Sequence, residues 1–539
     1  MSNFGFFSRP LVLFSLLLSA QIVRPAPWSP VVVRDVKVIG IQKTPNITKV
    51  SRDGGVSVLL NGKIIWLYAD TECLSRTGKQ LSFVSNTGAY AAELDASVTT
   101  VQDGGLVLAG HEKGQKEYAI LADKTVGDGG WVPFGKEEID YNSRNQGKHR
   151  IAIWPGSSPT PINRTHAILY APLVYVDSKP EDPAKKYMAR GTTLISVTAG
   201  EHGPVAARMV NLLFPHDEIA YGGFAALIGS SSVDSSSRDD RDVYLLGMMD
   251  SGLQLARVPL RNITDQAAYT YFQPRNSTFS AAPPTLKATD KKDVYLPGTF
   301  TSGGLFWSPY FRNFIIVYFN RQVDSTFYIR FLDLNSPRDK GSWVWKVGGR
   351  DGNGVLADDV EALVNYNWSS EQVLYESKPG KGGFNYAGAP HAEYFNRHFY
   401  PATTEFALDQ VFPYPGARRN EWYGSSELTP GQAGADGKHL LLSWTSQERG
   451  GFGTGLYQIE LARLEFDDIP PNPVGEDGST ESTTTSATKP AETSKSSSSR
   501  AGKAGIGGLG TLFRLDVVGS WDFYLASFSS TLLCTLVLG

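Results

Sequence analysis

Two apolar runs meet at Asn61-Gly62, and that junction constrains the fold of this chain more than any other feature. The segment reads Asp53-Gly-Gly-Val-Ser-Val-Leu-Leu-Asn61-Gly62-Lys-Ile-Ile-Trp-Leu-Tyr-Ala-Asp70. Asn-Gly between apolar runs is the strongest short-range signal for a two-residue β-hairpin. Leu60 then faces Lys63, and cross-strand partners carry numbers that add to about 123. Asp53 and Asp70 obey that sum, which predicts Cβ atoms roughly 5 Å apart on one face. Like charges placed opposite each other destabilise a sheet, so the pair has no structural benefit to offer. Two carboxylates at roughly 5–5.5 Å are the geometry of a retaining two-carboxylate glycosidase. The competing reading is a bulge at Asp53-Gly-Gly that slips the register and splits the pair across faces.

Both ends read as targeting segments. Arg9 precedes the apolar run Leu11–Leu18, and Leu18-Ser19-Ala20 offers a small-residue cleavage site, so residues 1–20 are expected to be a secretory signal peptide. A Ser/Thr-rich stretch (Ser479 to Ser499), small residues (Gly505 to Gly510), a polar spacer and the apolar tail Phe523–Gly539 follow in the order of a glycosylphosphatidylinositol (GPI) attachment signal. The competing reading, one membrane-spanning helix, needs about 20 apolar residues. Cys534 lies in that tail, leaving Cys73 alone in the mature chain. A secreted chain without disulfides must be held by burial. Sequons at Asn46, Asn163, Asn262, Asn276 and Asn367 predict glycosylation on surface loops. The expected location is extracellular, on the cell surface.

A net charge of −3 carries no nucleic-acid footprint. Between Pro27 and Pro470 short apolar strands alternate with Gly-, Pro- and Asn-rich turns, with almost no sustained helical periodicity. Strands are expected at Ile64–Tyr68, Ala167–Val176, Thr192–Val197, Ala225–Ile228, Val243–Met248, Phe314–Tyr318, Phe327–Leu332 and Leu440–Trp444. Similar meanders recur about every 70–90 residues, which suits β-propeller blades better than one sandwich. The expected fold is all-β, a five-bladed β-propeller over 27–470. A disordered Ser/Thr-rich stalk over 471–510 and the GPI signal over 511–539 follow it. His391-Ala-Glu393 with His398 has metal-ligand residue types without an established spacing, and neither a metal nor another cofactor is expected. Gly450–Gly455 lacks the Lys and helix of a phosphate loop and reads as a wide turn.

The segment from Asp53-Gly-Gly through Trp66-Leu-Tyr-Ala-Asp70-Thr71 resembles the first-blade motif of a five-bladed propeller family, formerly a domain of unknown function, that includes endo-D-arabinanases. Trp154-Pro-Gly156, Asp242-Val-Tyr-Leu-Leu-Gly247, Phe306-Trp-Ser-Pro-Tyr310 and Tyr386-Ala-Gly-Ala-Pro-His391 resemble the later blades in order. The Ser/Asp-rich stretch from Ser230 to Arg241 and the loose last motif depart from that pattern. The resemblance implies a secreted, GPI-anchored, fungal glycoside hydrolase acting on a cell-wall or environmental polysaccharide. Asp53 and Asp70 would be acid/base and nucleophile. Trp66 and Tyr68 share their face by register. Trp154, Trp307, Tyr386 and His391 would line a carbohydrate funnel by resemblance alone. The alternative is a non-catalytic carbohydrate-binding or adhesion propeller displayed on the cell wall.

Overall fold

A computed structural model describes residues 31–91, 130–229, 241–337, 362–395, 437–447 and 457–467, with short gaps inside some of these stretches, together with 107–108. The predicted signal peptide, stalk and anchor signal, Asn46, His398 and the Ser230–Arg241 loop (save Arg241) lie outside the described residues.

The chain opens with β1 (Val33–Ile41), β2 (Val50–Arg52), β3 (Val56–Leu60), β4 (Lys63–Tyr68), β5 (Thr71–Leu74), β6 (Gln80–Val84), β7 (Thr87–Tyr90) and β8 (Val107–Leu108). Strands β3, β4, β7 and β8 form one sheet, and β2, β5 and β6 extend the same hairpin as a smaller one. A ten-residue helix, α1 (Lys136–Asn145), follows, with acids in its first turn and Arg144 in its last, as the helix dipole favours.

The second large sheet holds β9 (His149–Ile153), β10 (Thr160–Pro161), β11 (His166–Asp177), β12 (Tyr187–Ala199) and β13 (Pro204–Pro215). The third holds β14 (Ala225–Ile228), β15 (Asp242–Met249), β16 (Gly252–Pro259), β17 (Thr270–Gln273), β18 (Thr278–Ser280) and β19 (Leu296–Pro297). The fourth holds β20 (Ser302–Ser308), β21 (Asn313–Phe319), β22 (Thr326–Pro337), β23 (Tyr366–Trp368) and β24 (Gln372–Glu376). The last joins β25 (Tyr386–His391), β26 (His439–Gln447) and β27 (Tyr457–Phe466) to β1 from the other end of the chain. Every strand pairing is antiparallel. All eight expected strands fall on observed ones, six of them within a few residues, while β12 begins five residues earlier than expected and β22 ends five residues later.

The sheets close on themselves. Val56, Val58, Leu60, Ile65 and Leu67 pack on Ile151, Ile153, Ala167 and Leu169 of the second sheet. Second-sheet residues Ile168, Tyr170 and Leu194 pack on Val243 and Leu245 of the third. Leu246, Leu253 and Leu255 pack on Phe314 and Ile316 of the fourth, and Ile315, Val317 and Ile329 on Leu440, Leu442 and Leu464 of the last. Ile39, Leu441, Ile459 and Leu461 then return to Leu59, Ile64, Trp66 and Tyr68. Strands β3, β10, β14, β20 and β25 touch in turn, and β25 touches β3. Each of these sheets is covered on both faces. That is why its central strands read as continuous apolar runs.

Candidate functional site

The predicted register holds on both sides of the Asp pair. Partners run from Leu60↔Lys63 to Val56↔Leu67 in β3–β4 and from Arg52↔Thr71 to Val50↔Cys73 in β2–β5. Asn61 takes a φ of 49°, the left-handed conformation that an Asn-Gly hairpin turn demands. Between the two ladders Asp53 N–H donates to the Asp70 carbonyl at 3.1 Å, while Ala69 N–H donates to the Asp53 carbonyl at 2.9 Å. Two residues thus oppose one, which is a β-bulge. Bulges bend a strand and re-aim its side chains. Gly54 and Gly55, with φ of 74° and 125°, absorb the distortion, and a Cβ on Gly54 would sit 3.2 Å from the Ala69 nitrogen.

The bulge turns the two acids toward different neighbours. Asp53 stays on the side of the last sheet, where its Oδ2 accepts from the Tyr386 hydroxyl at 3.1 Å. Its Oδ1 is shielded from solvent and has no hydrogen-bond partner. Asp70 faces the second sheet. Arg150 Nη2 donates to its Oδ2 at 2.5 Å, and Trp154 Nε1 donates to its Oδ1 at 2.8 Å. Arg150 is held in turn by Ser85 Oγ at 2.7 Å and by the Phe83 ring at 4.8 Å. Asn86 fixes that strand by donating to the Ile153 carbonyl at 3.1 Å.

Electrostatics separate the pair. Burial, and then the neighbouring Asp70 charge, push the Asp53 carboxyl up to about 8, against the opposing pull of the Tyr386 hydrogen bond and the Arg150 charge. Near neutral pH Asp53 keeps its proton beside an Asp70 carboxylate tied to a guanidinium. Tyr386 itself is held neutral by burial and by Asp53. Tyr187 and Tyr457 complete the rim. Tyr187 meets Trp154 edge-on at 5.8 Å, and Tyr457 meets Tyr386 edge-on at 5.9 Å. Burial raises the Tyr187 hydroxyl first, followed by the charges of Asp70, Tyr457 and Asp53.

A stability consequence follows from Asp53. An unfolded Asp releases its proton near pH 3.9, whereas the folded chain holds it up to about pH 8. Between these values the folded state binds more protons, so the group's contribution to stability is lost as pH rises through that window. Asp53→Asn removes the penalty. Its unfolding free energy should match wild type near pH 4 and exceed it by about 1–3 kcal/mol at pH 8, a fraction of the full linkage. Chemical denaturation at a series of pH values checks this, and a constant difference across pH would refute the buried proton.

Buried groups of the last sheet hold the backbone just after Asp53. Thr445 Oγ1 accepts from Gly54 N–H at 3.0 Å, and Ser443 Oγ donates to the Gly55 carbonyl at 3.1 Å. His391 Nε2 lies 2.7 Å from Ser443 Oγ, while His391 Nδ1 and Glu393 both bond Ser57 Oγ. Ser443→Ala with Thr445→Val leaves the Gly54 and Gly55 backbone groups unpaired. Such losses typically cost about 1–3 kcal/mol each. A thermal-unfolding midpoint equal to that of wild type would show that the backbone is held by other means.

Of the residues expected around a sugar, Asp53, Asp70, Trp154 and Tyr386 come together. Trp66, Tyr68 and His391 do not, and their assignment is corrected. Each is fully buried. Trp66 donates to the Tyr394 hydroxyl at 2.7 Å and lies 4.2 Å from the His391 ring, and Tyr68 donates to Gln42 Oε1 at 2.6 Å. They share Asp70's alternation, but their hairpin is sandwiched between two sheets, and the bulge turns Asp70 out of that alternation. Trp307 packs edge-on to Phe314 at 5.2 Å, against the core between the third and fourth sheets. Arg150, Tyr187 and Tyr457 were missed, since no local pattern distinguishes them. Among the described residues no three His, Cys, Asp or Glu side chains cluster as a metal site requires. Asn276 is exposed and Asn163, Asn262 and Asn367 are partly exposed.

No family model matches the chain, and no curated protein matches it. Among solved structures, a "putative hydrolase" from Bacteroides ovatus is similar over 77% of this chain and 85% of its own, with 12% identity and a TM-score of 0.43. A subtype N11 neuraminidase-like protein of A/flat-faced bat/Peru/033/2010 (H18N11) is similar over 83% of this chain and 100% of its own, with 8% identity and a TM-score of 0.27. Both scores are low, so the fold rests on the sheet topology and packing described above.

Proposed function

We propose that this protein is a five-bladed β-propeller glycoside hydrolase in which Asp53 is the proton donor and Asp70 the ionised partner. The observation that carries the reading is the unequal environment of two neighbouring carboxyl groups. Asp53 is shielded, protonated and half-satisfied, while Asp70 is ion-paired. Pairs of acids whose surroundings drive them apart in this way divide acid and base work. Support for five blades comes from the closed cycle of sheet contacts and from β1 completing the last sheet.

Tyr386 occupies Oδ2, so the Asp53 proton would sit on Oδ1, shielded in the free protein, and would pass to a departing glycosidic oxygen brought against it. The Asp70 carboxylate stabilises or attacks the anomeric carbon. Trp154 and Tyr457, both partly exposed, supply aromatic surface for a sugar ring, and the buried Tyr187 packs edge-on to Trp154. A carboxyl separation of about 5–5.5 Å gives retention, and one beyond about 6.5 Å gives inversion.

Release of reducing ends from a panel of cell-wall polysaccharides by the full chain tests the reading, with the product anomer read by NMR. No release from any glycan would overturn it. The binding-module alternative draws on one observation, that both Asp70 oxygens are already engaged. Glycan binding that survives Asp53→Asn and Asp70→Asn, without hydrolysis, would establish it. For location, the reading remains a secreted, glycosylated, GPI-anchored surface protein over the domain limits given above. Release from intact cells by a phosphatidylinositol-specific phospholipase is the expected result.

A further inference from the structure

We propose that the seam between the N-terminal strand and the first hairpin binds a small oxyanion through Arg52 and Gln42. The site is separate from the Asp pair and independent of the hydrolase reading. Arg52 ends β2 and is 5% exposed. A guanidinium does not deprotonate in proteins, and a buried charge without a partner is among the costliest features a fold can hold. Among the described residues no carboxylate pairs with Arg52. The cation acting on Asp53 is Arg150.

What Arg52 does have is the Tyr68 ring, 4.2 Å below its guanidinium carbon. That cation–π contact offsets charge, and a side-chain hydrogen bond also joins Arg52 to Tyr68. Arg52 Nε and Nη2 are both shielded from solvent and lack acceptors. Gln42 Nε2 is in the same condition. The Tyr68 hydroxyl spends its proton on Gln42 Oε1 at 2.6 Å, which fixes the amide so that its nitrogen is the unused end. Both donor groups therefore adjoin one tyrosine, one from the end of β2 and one from the residue after β1. Native proteins leave few buried donors unpaired, and here three nitrogens on two neighbouring side chains share the same lack.

The chemistry of the missing group follows from the donors. All are N–H, one side carries a full positive charge, and Nε with Nη2 forms the fork that matches two oxygens of a phosphate, sulfate or carboxylate. Gln42 Nε2 would serve a further oxygen. Bound there, the anion would join β1, a strand of the last sheet, to the first hairpin. It would therefore stabilise the closure of the ring, because a ligand that binds only the folded state raises its stability by mass action.

The experiment measures the thermal midpoint of the full chain against sodium phosphate, sodium sulfate, glucose 6-phosphate and glucuronate, with sodium chloride holding ionic strength constant. The expected result is a saturable rise with at least one oxyanion. Arg52→Met, which keeps the side-chain packing over Tyr68, should abolish it. Gln42→Leu should weaken apparent affinity by about tenfold, the effect of one lost hydrogen bond to a charged group. A lower half-saturation for glucose 6-phosphate or glucuronate than for inorganic ions would assign the site to an acidic sugar, and the reverse to a free ion. A flat wild-type response, or a rise of equal size in both variants, would overturn the proposal. Should Arg52→Met fail to fold, Gln42→Leu decides alone, since Gln42 is partly exposed beyond the end of its strand.

Discussion

Asn in place of Asp53 should lower glycan turnover by about 10²–10⁴-fold, the usual contribution of a positioned general acid, while the protein becomes more stable at alkaline pH. The amide keeps the shape and the oxygen that Tyr386 bonds, but it has no acidic proton to give. Asp70→Asn should be equally inactive with the opposite stability signature. It strips the Arg150 guanidinium of its carboxylate, and an ion pair broken on one side leaves the other charge uncompensated. Initial rates of reducing-end release, read beside unfolding curves, separate the two roles. Wild-type kcat/KM should decline above about pH 8, where Asp53 loses its proton. Full activity in either variant would remove that carboxylate from the mechanism.

Arg150→Met tests the same electrostatics from the other direction. Arg150 lowers the Asp53 carboxyl and neutralises Asp70. Its removal should push Asp53 further up, so the alkaline limb of the pH profile moves to higher pH even as turnover falls. A fall of about 10²-fold is the scale for a mispositioned catalytic group. Stability should drop by about 1–3 kcal/mol, less than for a fully buried pair, because both partners keep some solvent contact. A limb that stays in place, or moves to lower pH, would mean that Arg150 does not act on Asp53.

How far the site could be read in advance depended on how local each of its causes is. The hairpin was legible because Asn61-Gly62 sets its own turn, and the register then propagates along both strands. A distorted backbone at Asp53-Gly-Gly was legible as well from its two adjacent glycines, although the two residues that oppose Asp53 are Ala69 and Asp70 and the register does not slip. The direction of that distortion was not. Whether a bulge splits two acids or aims them at a common cleft depends on what lies above each face, and those faces belong to other sheets. The same limit misplaced Trp66, Tyr68 and His391. Alternation set Trp66 and Tyr68 beside the acids, and resemblance alone added His391, yet only the neighbouring sheets decide that those positions are closed to a ligand.

The sequence by itself determined the strand content, the hairpin register and the opposition of Asp53 to Asp70, because turn chemistry and side-chain alternation act within a few residues. Only the tertiary structure decided which acid holds the proton. That asymmetry is imposed by the burial of Asp53 against the pull of Tyr386, 333 residues away, while Arg150, 80 residues from Asp70, pairs with the other carboxyl. Charge and burial act through space, and the closed ring of sheets makes those distant residues neighbours.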